Sequence, residues 1–301
     1  MKICPECATR FGGGEWECPQ CGFRPQAIDG YLTHAPALAL ASASGFRPEE
    51  FEVLARLEED SFWFRGRNKL IMLALRRYCS GARSFLEIGC GTGFVLRGIV
   101  RDFPQIALYG SEVSVAGLDV AARRNPAATF FQMDAGSIPY QEEFDAIGAF
   151  DVLEHIEDDG CVIGQIYRAL KPGGHAIISV PQHMFLWSEQ DRHARHFRRY
   201  CTRELERKLE SAGFRIELRT SFVTLLLPAL YLSRRLARRR DVGDGVAELR
   251  LPPMLNRPFE WTLDFERWLI DHGVRLPAGG SQLVVARKFP KTAGQQGGGP
   301  P

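Results

Sequence analysis

No apolar run in this 301-residue chain approaches the about twenty residues that a membrane-crossing helix needs. The longest candidate, Phe222–Leu232, is eleven residues broken by Thr224 and Pro228, too short to span a bilayer. The opening residues Met1-Lys2-Ile3-Cys4-Pro5 lack the apolar segment of a secretory signal, so the expected location is cytoplasmic. Charge of one sign is missing too. Thirty-eight Lys and Arg stand against 36 Asp and Glu, a net +2, and this balance makes nucleic acid a less favoured partner. With 45% hydrophobic and 25% charged residues the chain reads as an ordinary globular protein of one or two domains.

Cysteine is sparse after the first 21 residues, and its placement before that carries information. Cys4-Pro5-Glu6-Cys7, a ten-residue spacer and Cys18-Pro19-Gln20-Cys21-Gly22 form two Cys-x-x-Cys pairs. Two such knuckles hold one tetrahedral zinc through four thiolates, and a segment this small folds on the metal's binding energy. A disulfide framework would require an oxidising compartment. A zinc ribbon over residues 1–26 is therefore expected, with Trp16 and Phe23 as its packing residues. Such a ribbon docks on protein or nucleic acid, or stabilises a terminus, and its cysteines do not say which. Cys79, Cys90, Cys161 and Cys201 have no pairing pattern and read as small core residues.

The rest of the chain is organised around Phe85-Leu86-Glu87-Ile88-Gly89-Cys90-Gly91-Thr92-Gly93. A strand over Ser84–Ile88 runs into a loop with glycine at alternate positions, and Phe94, Val95, Leu96 and Ile99 suit a helix packing back on it. Glycine is required where the backbone turns tightly and a ligand approaches closely. Glu87 narrows the ligand: a carboxylate ending the strand would repel a pyrophosphate over the helix N-terminus and favours an ammonium group. S-adenosylmethionine carries that ammonium, a cationic sulfonium and no phosphate. A second strand, Ile106–Gly110, ends in Ser111-Glu112, where a carboxylate accepts bonds from ribose hydroxyls. A third, Thr129–Gln132, delivers Met133-Asp134-Ala135 to the same edge, within reach of an adenine. A fourth, Phe144–Phe150, runs into Asp151-Val152-Leu153-Glu154-His155-Ile156. A helix, the Lys171-Pro172-Gly173-Gly174 turn and a fifth strand, His175–Val180, follow.

In this order the segments resemble a class I S-adenosylmethionine-dependent methyltransferase, over roughly Phe62–Ser221 and again Ser281–Phe289. The resemblance implies an α/β fold with a Rossmann-like seven-stranded sheet. It also implies a cofactor site of Glu87, Gly89, Cys90, Gly91, Gly93, Glu112, Asp134, Ala135, Phe150 and Asp151. A nicotinamide-binding Rossmann domain is the alternative for the glycine loop. Phe62-Trp63-Phe64-Arg65-Gly66-Arg67-Asn68 and the run Asp191, His196, Arg199, Tyr200 are similar to a bacterial type-11 and type-12 subgroup that includes ubiquinone-pathway O-methyltransferases. Phe62 and Phe64 are expected to pack, and Trp63, Arg65 and Arg67 to reach cofactor or substrate. In this fold the segment after strand five overhangs the methyl group, which makes His155, His196 and His183 the candidate proton acceptors. Asp151, Glu154 and His155 share a helical face and with His183 or His196 suit a second, divalent metal. Similar segments occur in metal-dependent small-RNA 2′-O-methyltransferases, with glutamate where Asp151 stands.

The remaining boundaries follow from composition. Residues 27–80 read as linker and N-terminal helices, 81–222 as the methyltransferase core and 223–280 as a helical insertion over the substrate side. Residues 281–290 read as the last core strand and 291–301 as a disordered tail. In residues 202–213 the pattern gives a helix with N-cap Thr202 and C′ glycine Gly213. The spacing of Trp261, Phe265, Trp268 and Leu269 reads as packing. The apolar stretch before Arg234, Arg235, Arg238, Arg239 and Arg240 suits either a core helix or peripheral contact with an acidic inner membrane surface. The expected reaction is O-methylation of a small or lipid-like hydroxyl substrate, since no Pro-Pro-Tyr loop of a nitrogen methylase is present. An RNA 2′-O-methyltransferase using the ribbon and the arginine run, and a cofactor-binding protein without turnover, are the alternatives.

Overall fold

The computed structural model describes residues 1–40, 48–237 and 252–289. Arg238, Arg239, Arg240 and the 291–301 tail lie outside the described residues. In chain order the elements are β1 (Lys2–Ile3), β2 (Arg10–Phe11), β3 (Gln26–Ile28), β4 (Tyr31–Thr33), α1 (Pro36–Leu40), α2 (Pro48–Asp60) and α3 (Phe62–Tyr78). Next come β5 (Ser84–Ile88), α4 (Phe94–Asp102), β6 (Ala107–Glu112), α5 (Val115–Arg124), β7 (Thr129–Gln132), β8 (Phe144–Phe150), α6 (Asp159–Ala169) and β9 (Leu170–Pro181). The chain closes with α7 (Glu189–His193), α8 (Glu204–Ser211), β10 (Phe214–Phe222), α9 (Leu227–Ala237), α10 (Pro253–Asp271) and β11 (Ser281–Lys288).

The main sheet runs β10-β11-β9-β8-β5-β6-β7-β4-β3. Strands β5 to β9 are parallel, and β11 inserts antiparallel between β9 and β10. After β7 the chain crosses to the other side of β5 to form β8, so the order reverses between β5 and β8. The crevice at the carboxyl ends of such a pair is where ligands bind in open α/β sheets. Each parallel strand is buried on both faces, hence the near-continuous apolar runs. Phe85 joins the core under α3 and α4 with Leu75, Leu96 and Ile99, while its neighbour Leu86 joins the core under α6 and α8 with Ile147, Ile163 and Leu205.

To the seven core strands the structure adds two. Gln26, read from sequence as the last ribbon residue, and residues 27–33, read as the start of a linker, form the β3–β4 hairpin, and β4 pairs parallel to β7 through Leu32 and Thr33. Strands of three residues have too little periodicity to be separated from a linker. The Lys171-Pro172-Gly173-Gly174 turn is absorbed into the start of β9, with a register shift opposite Phe144 and Ala146. Helix α8 begins at Glu204, preceded by Arg203 in the left-handed region with no side-chain cap, so Thr202 is not its N-cap.

Helix α10 corrects a packing expectation. It rests on α3 through its buried Leu263 and Ile270, with Glu266 buried on the same face, and Arg65 is bonded to Glu260 and Lys69 to Glu260 and Asp264. Positions 263, 266 and 270 take the inner face, which turns Trp261, Phe265 and Trp268 outward at 69%, 51% and 50% exposure. Cys161 and Cys201 are likewise exposed rather than core residues.

Candidate active site

At the switch point Glu87, the last residue but one of β5, is 3% exposed, and its buried Oε2 has no hydrogen-bond partner among the described residues. Burial pushes its pKa well above the carboxylate range, with Arg67 pulling the other way. The loop beyond it places Gly89, Gly91 and Gly93 at φ +64°, +50° and +71°. At Gly91 a Cβ would meet nothing within 4 Å, so the left-handed backbone and the ligand side of the loop, not packing, demand glycine there. Cys90 is buried and its N–H donates to the Ser111 carbonyl at 2.9 Å, tying the loop to β6.

Glu112 sits across the loop. Oε2 accepts the Gly91 N–H at 3.1 Å and Oε1 accepts the Val113 N–H at 2.8 Å. Burial raises its pKa, and the backbone N–H bonds offset part of that. A carboxylate offers about four acceptor positions, so Glu112 keeps acceptor capacity for a diol beside these backbone bonds. Asp134, after β7, accepts the Gly136 N–H at 2.8 Å through Oδ1; Ala135 follows it, and Phe150 is buried at the end of β8. A second set of residues, not anticipated from sequence, fixes the loop. The Thr92 hydroxyl donates to Glu58 Oε2 at 2.5 Å, and Arg124 Nη1 bonds Glu58 at 2.7 Å and Thr92 Oγ1 at 2.8 Å. Glu58 falls four residues after Leu54 and seven after Phe51, the buried-face phase of α2, which is the signal that could have found it.

Asp151 departs from the metal expectation. Its φ is +57°, and its Oδ2 pairs with Arg67 Nη1 instead of turning to Glu154 and His155. The structure instead brings Glu154, His155 and His196 together, with one ligand atom from each within 4.8 Å of the others. The His155 and His196 ring centroids are 4.5 Å apart. Both Glu154 oxygens are buried without a partner among the described residues, and burial, then Asp151, raises its pKa far above the usual range. Burial, then His196, lowers that of His155 to about 4. His196 is oriented from behind: its Nδ1 lies 2.9 Å from Asp191 Oδ1, which also accepts Arg199 Nε at 2.8 Å. Burial alone would raise Asp191, but these two partners hold it below the usual carboxylate value. His183 stands outside the group, stacked on Phe185 with centroids 5.0 Å apart. Tyr200 is buried and donates to Asp159 at 2.6 Å, a structural tie. Arg65 likewise belongs to the α10 contact and not to the pocket.

The four N-terminal cysteines form a second donor set. All sulfurs lie within 4.8 Å of one another, with Cys4–Cys21 and Cys7–Cys18 at 3.5 Å. Zinc–sulfur bonds of about 2.3 Å in a tetrahedron give edges of about 3.8 Å, so the set fits one ion. The knuckles repeat in detail: the Cys4 carbonyl accepts the Ala8 N–H at 3.0 Å and the Cys18 carbonyl the Gly22 N–H at 2.9 Å. Ala8 and Gly22 are both left-handed, at φ +58° and +72°. Trp16 joins the ribbon to the core, its ring 4.4 Å from His34 and 5.6 Å from Tyr140 between centroids. The Ile3 N–H donates to the Pro139 carbonyl at 3.0 Å.

Among known proteins, a family model described as a methyltransferase domain matches residues 56–218. A "Probable S-adenosylmethionine-dependent methyltransferase" of Mycolicibacterium smegmatis is 29% identical over 187 residues, covering 60% of this chain and 70% of that one. A ubiquinone biosynthesis O-methyltransferase of Alkalilimnicola ehrlichii is 30% identical over 103 residues, 32% of this chain and 41% of that one. Among solved structures, the [4+2]-cyclase SpnF superposes with a TM-score of 0.51 at 25% identity, over 75% of this chain and 82% of that one. The fold therefore serves reactions other than methyl transfer, and the side chains at the switch point must decide between them.

Proposed function

The chain belongs to the methyltransferase domain family and is an S-adenosylmethionine-dependent methyltransferase, and from that premise we propose that its acceptor is a hydroxyl group on a small or lipid-like compound. The observation that carries this reading is His196, with Nδ1 against Asp191 and its ring 4.5 Å from that of His155 between centroids, in one group with Glu154. A histidine whose Nδ1–H is held by an ionised carboxylate presents a free Nε2 as base. An alcohol loses its proton to that Nε2 as its oxygen bonds to the methyl carbon and the carbon–sulfur bond breaks, with S-adenosylhomocysteine as the leaving group. Most of the acceleration comes from holding oxygen, methyl carbon and sulfur in line. Exposed Met184, Phe185 and Phe197 on the overhanging segment favour an apolar acceptor, in keeping with the name of the Alkalilimnicola relative.

His196→Ala is expected to lower kcat by about 10²- to 10⁴-fold while the affinity for S-adenosylmethionine stays within about twofold. A rate unchanged by the substitution would remove His196 as the base. The acceptor class is tested by incubating the protein with methyl-labelled S-adenosylmethionine and a cell extract. Label in the organic or small-molecule fraction supports the hydroxyl reading. Label in RNA replaces it with the 2′-O-methyltransferase reading, and cofactor affinity with no labelled fraction replaces it with a binding role.

Glu87 gives the cofactor reading a pH signature. Its folded pKa is raised, so below that value the carboxyl is protonated; an ammonium beside it favours the charged form and expels the proton. Affinity for S-adenosylmethionine is expected to rise with pH up to that raised value and then level off. Titration calorimetry in buffers of different ionisation enthalpy should report proton release that Glu87→Gln abolishes. Release unchanged in the variant would mean another group carries it.

A second reading of the same pocket rests on Glu154, whose two unpartnered oxygens beside His155 and His196 fit a divalent cation. These three would hold it, and it would supply Lewis-acid polarisation of the acceptor oxygen. Activity lost to a chelator and restored by magnesium or manganese favours this version, provided the four-cysteine zinc is measured alongside.

A further inference from the structure

Two buried glutamines stand at the edge of the sheet where β5 and β8 open into the crevice. Gln182 follows the last residue of β9, and Gln282 is the second residue of β11, which starts at that edge because it runs antiparallel. Both are 0% exposed. Gln282 is paired with Val180 on one side and Ser221 on the other, and the Gln182 N–H donates to the Gly280 carbonyl at 3.0 Å. The two glutamines are therefore diagonal neighbours on one face of the sheet, about 7–8 Å apart. It is the face on which Val180 packs with Tyr200 and Leu205. All four side-chain amide atoms, Nε2 and Oε1 of each, are buried with no hydrogen-bond partner among the described residues. A buried polar atom without a partner carries the full desolvation penalty of its group, whereas an apolar side chain of the same shape would carry none. Two such side chains together, kept at the substrate end of the sheet, call for a ligand that supplies the partners.

The glutamines are tied to the base. Arg199 donates from Nη1 to the Gln182 carbonyl at 3.3 Å and from Nε to Asp191 at 2.8 Å, and Asp191 in turn orients His196. The chain leaves the sheet at Gln182 and rejoins it beside Gln182 at Tyr200, so the segment bearing His196 has both ends at one place. We propose that Gln182 and Gln282 are specificity-determining residues of the acceptor site, binding a second, uncharged hydroxyl or carboxamide of the compound whose first hydroxyl is methylated beside His196, with the 183–199 segment opening to admit it. The inference rests on the hydroxyl-acceptor reading above and narrows the substrate class: the acceptor carries two neutral polar groups. Each amide offers an oxygen that accepts and a nitrogen that donates, which matches a group that does both. A carboxylate or phosphate would bring a charge that the amides do not neutralise, and Arg199 beside them is already paired with Asp191. A simple alcohol would leave all four amide atoms unpaired, the situation in which such a site rejects an analogue most strongly.

The test uses the full-length protein, methyl-labelled S-adenosylmethionine and serial dilutions of the cell extract, with Gln182→Met and Gln282→Met as variants. Methionine keeps the length of glutamine and removes both polar atoms. Each variant is expected to melt at or above the wild-type temperature, because it loses an orphaned amide. The extract concentration that gives half-maximal transfer should rise about 10- to 100-fold, the span of two neutral hydrogen bonds. The maximal rate should change by less than about threefold, the pattern of lost acceptor binding. Half-saturation at the wild-type value in both variants overturns the inference, and a lowered melting temperature alongside it would make the amides structural. If the methionine variants do not fold, the wild-type product decides: mass spectrometry should find an uncharged hydroxyl or carboxamide besides the methylated oxygen, and a product without one overturns the inference equally. Wild type that labels neither the organic nor the small-molecule fraction removes the hydroxyl reading and this inference with it.

Discussion

Glu112→Ala is expected to raise the dissociation constant for S-adenosylmethionine by about 10²- to 10⁴-fold and so to abolish methyl transfer at ordinary cofactor concentrations. Two hydrogen bonds from ribose hydroxyls to an ionised acceptor contribute about 1.5–3 kcal/mol each, and every 1.4 kcal/mol is about tenfold in affinity. The substitution acts twice, because the same carboxylate receives the Gly91 and Val113 N–H groups. Without it both donors are orphaned, and the loop loses the tie that holds Gly91 in its left-handed conformation. Glu112→Gln separates the two effects, since an amide oxygen can keep one N–H bond but carries no charge. Calorimetry on both variants with a thermal melt alongside is the measurement. Affinity unchanged in the alanine variant would take Glu112 out of the ribose site.

Removal of metal from the four cysteines is the second large effect. Structural zinc contributes about 10–16 kcal/mol to segments of this size, far more than the small cluster of Cys4, Phe11 and Cys18 with Trp16 and Phe23 provides. A strong chelator, or Cys4→Ser with Cys18→Ser, is expected to unfold residues 1–25 while the methyltransferase core keeps its own melting transition. Trp16 reports the change. Its ring now lies against His34 and Tyr140, and its release should shift tryptophan emission to the red and open the segment to protease. Metal analysis of the untreated protein should give one zinc per chain. A chain that contains none, with emission indifferent to chelator, would refute the zinc assignment.

Much of the fold was legible because the parallel strands are buried on both faces. Thr129–Gln132 and Phe144–Phe150 have in the structure the bounds that their apolar runs and turn residues give them. The glycine loop was legible because few other residues tolerate its backbone. What escaped was information that no short window contains. Arg67 and Asp151 are 84 positions apart, and only the crossing of α3 over the sheet joins them. Glu154, His155 and His196 were each visible as chemistry-bearing residues. That Asp151 does not join them depends on a positive φ, which aspartate adopts in one local context and not in another. The outward face of α10 misled for a similar reason: spacing identifies a face but not the partner it meets. Leu263, Glu266 and Ile270 compete for the inner position with a glutamate among them, and Glu266 is buried because its Oε1 caps the Leu225 N–H at 2.7 Å.

The β3–β4 hairpin has a consequence for how this protein behaves in a crowded solution. A parallel sheet ending at β7 would present a row of unpaired N–H and C=O groups, the template on which chains join edge to edge and aggregate. Pairing β4 to β7 transfers the edge to β3, a three-residue strand too short to recruit a neighbour. At the opposite end β10 carries a bulge between Ile216 and Leu218, which breaks the regular register that an incoming strand would need. The N-terminal residues that carry the four cysteines thus lead directly into a guard for the catalytic sheet, and resistance to edge-to-edge association becomes a property that the hairpin contributes at one edge and a single irregular residue at the other.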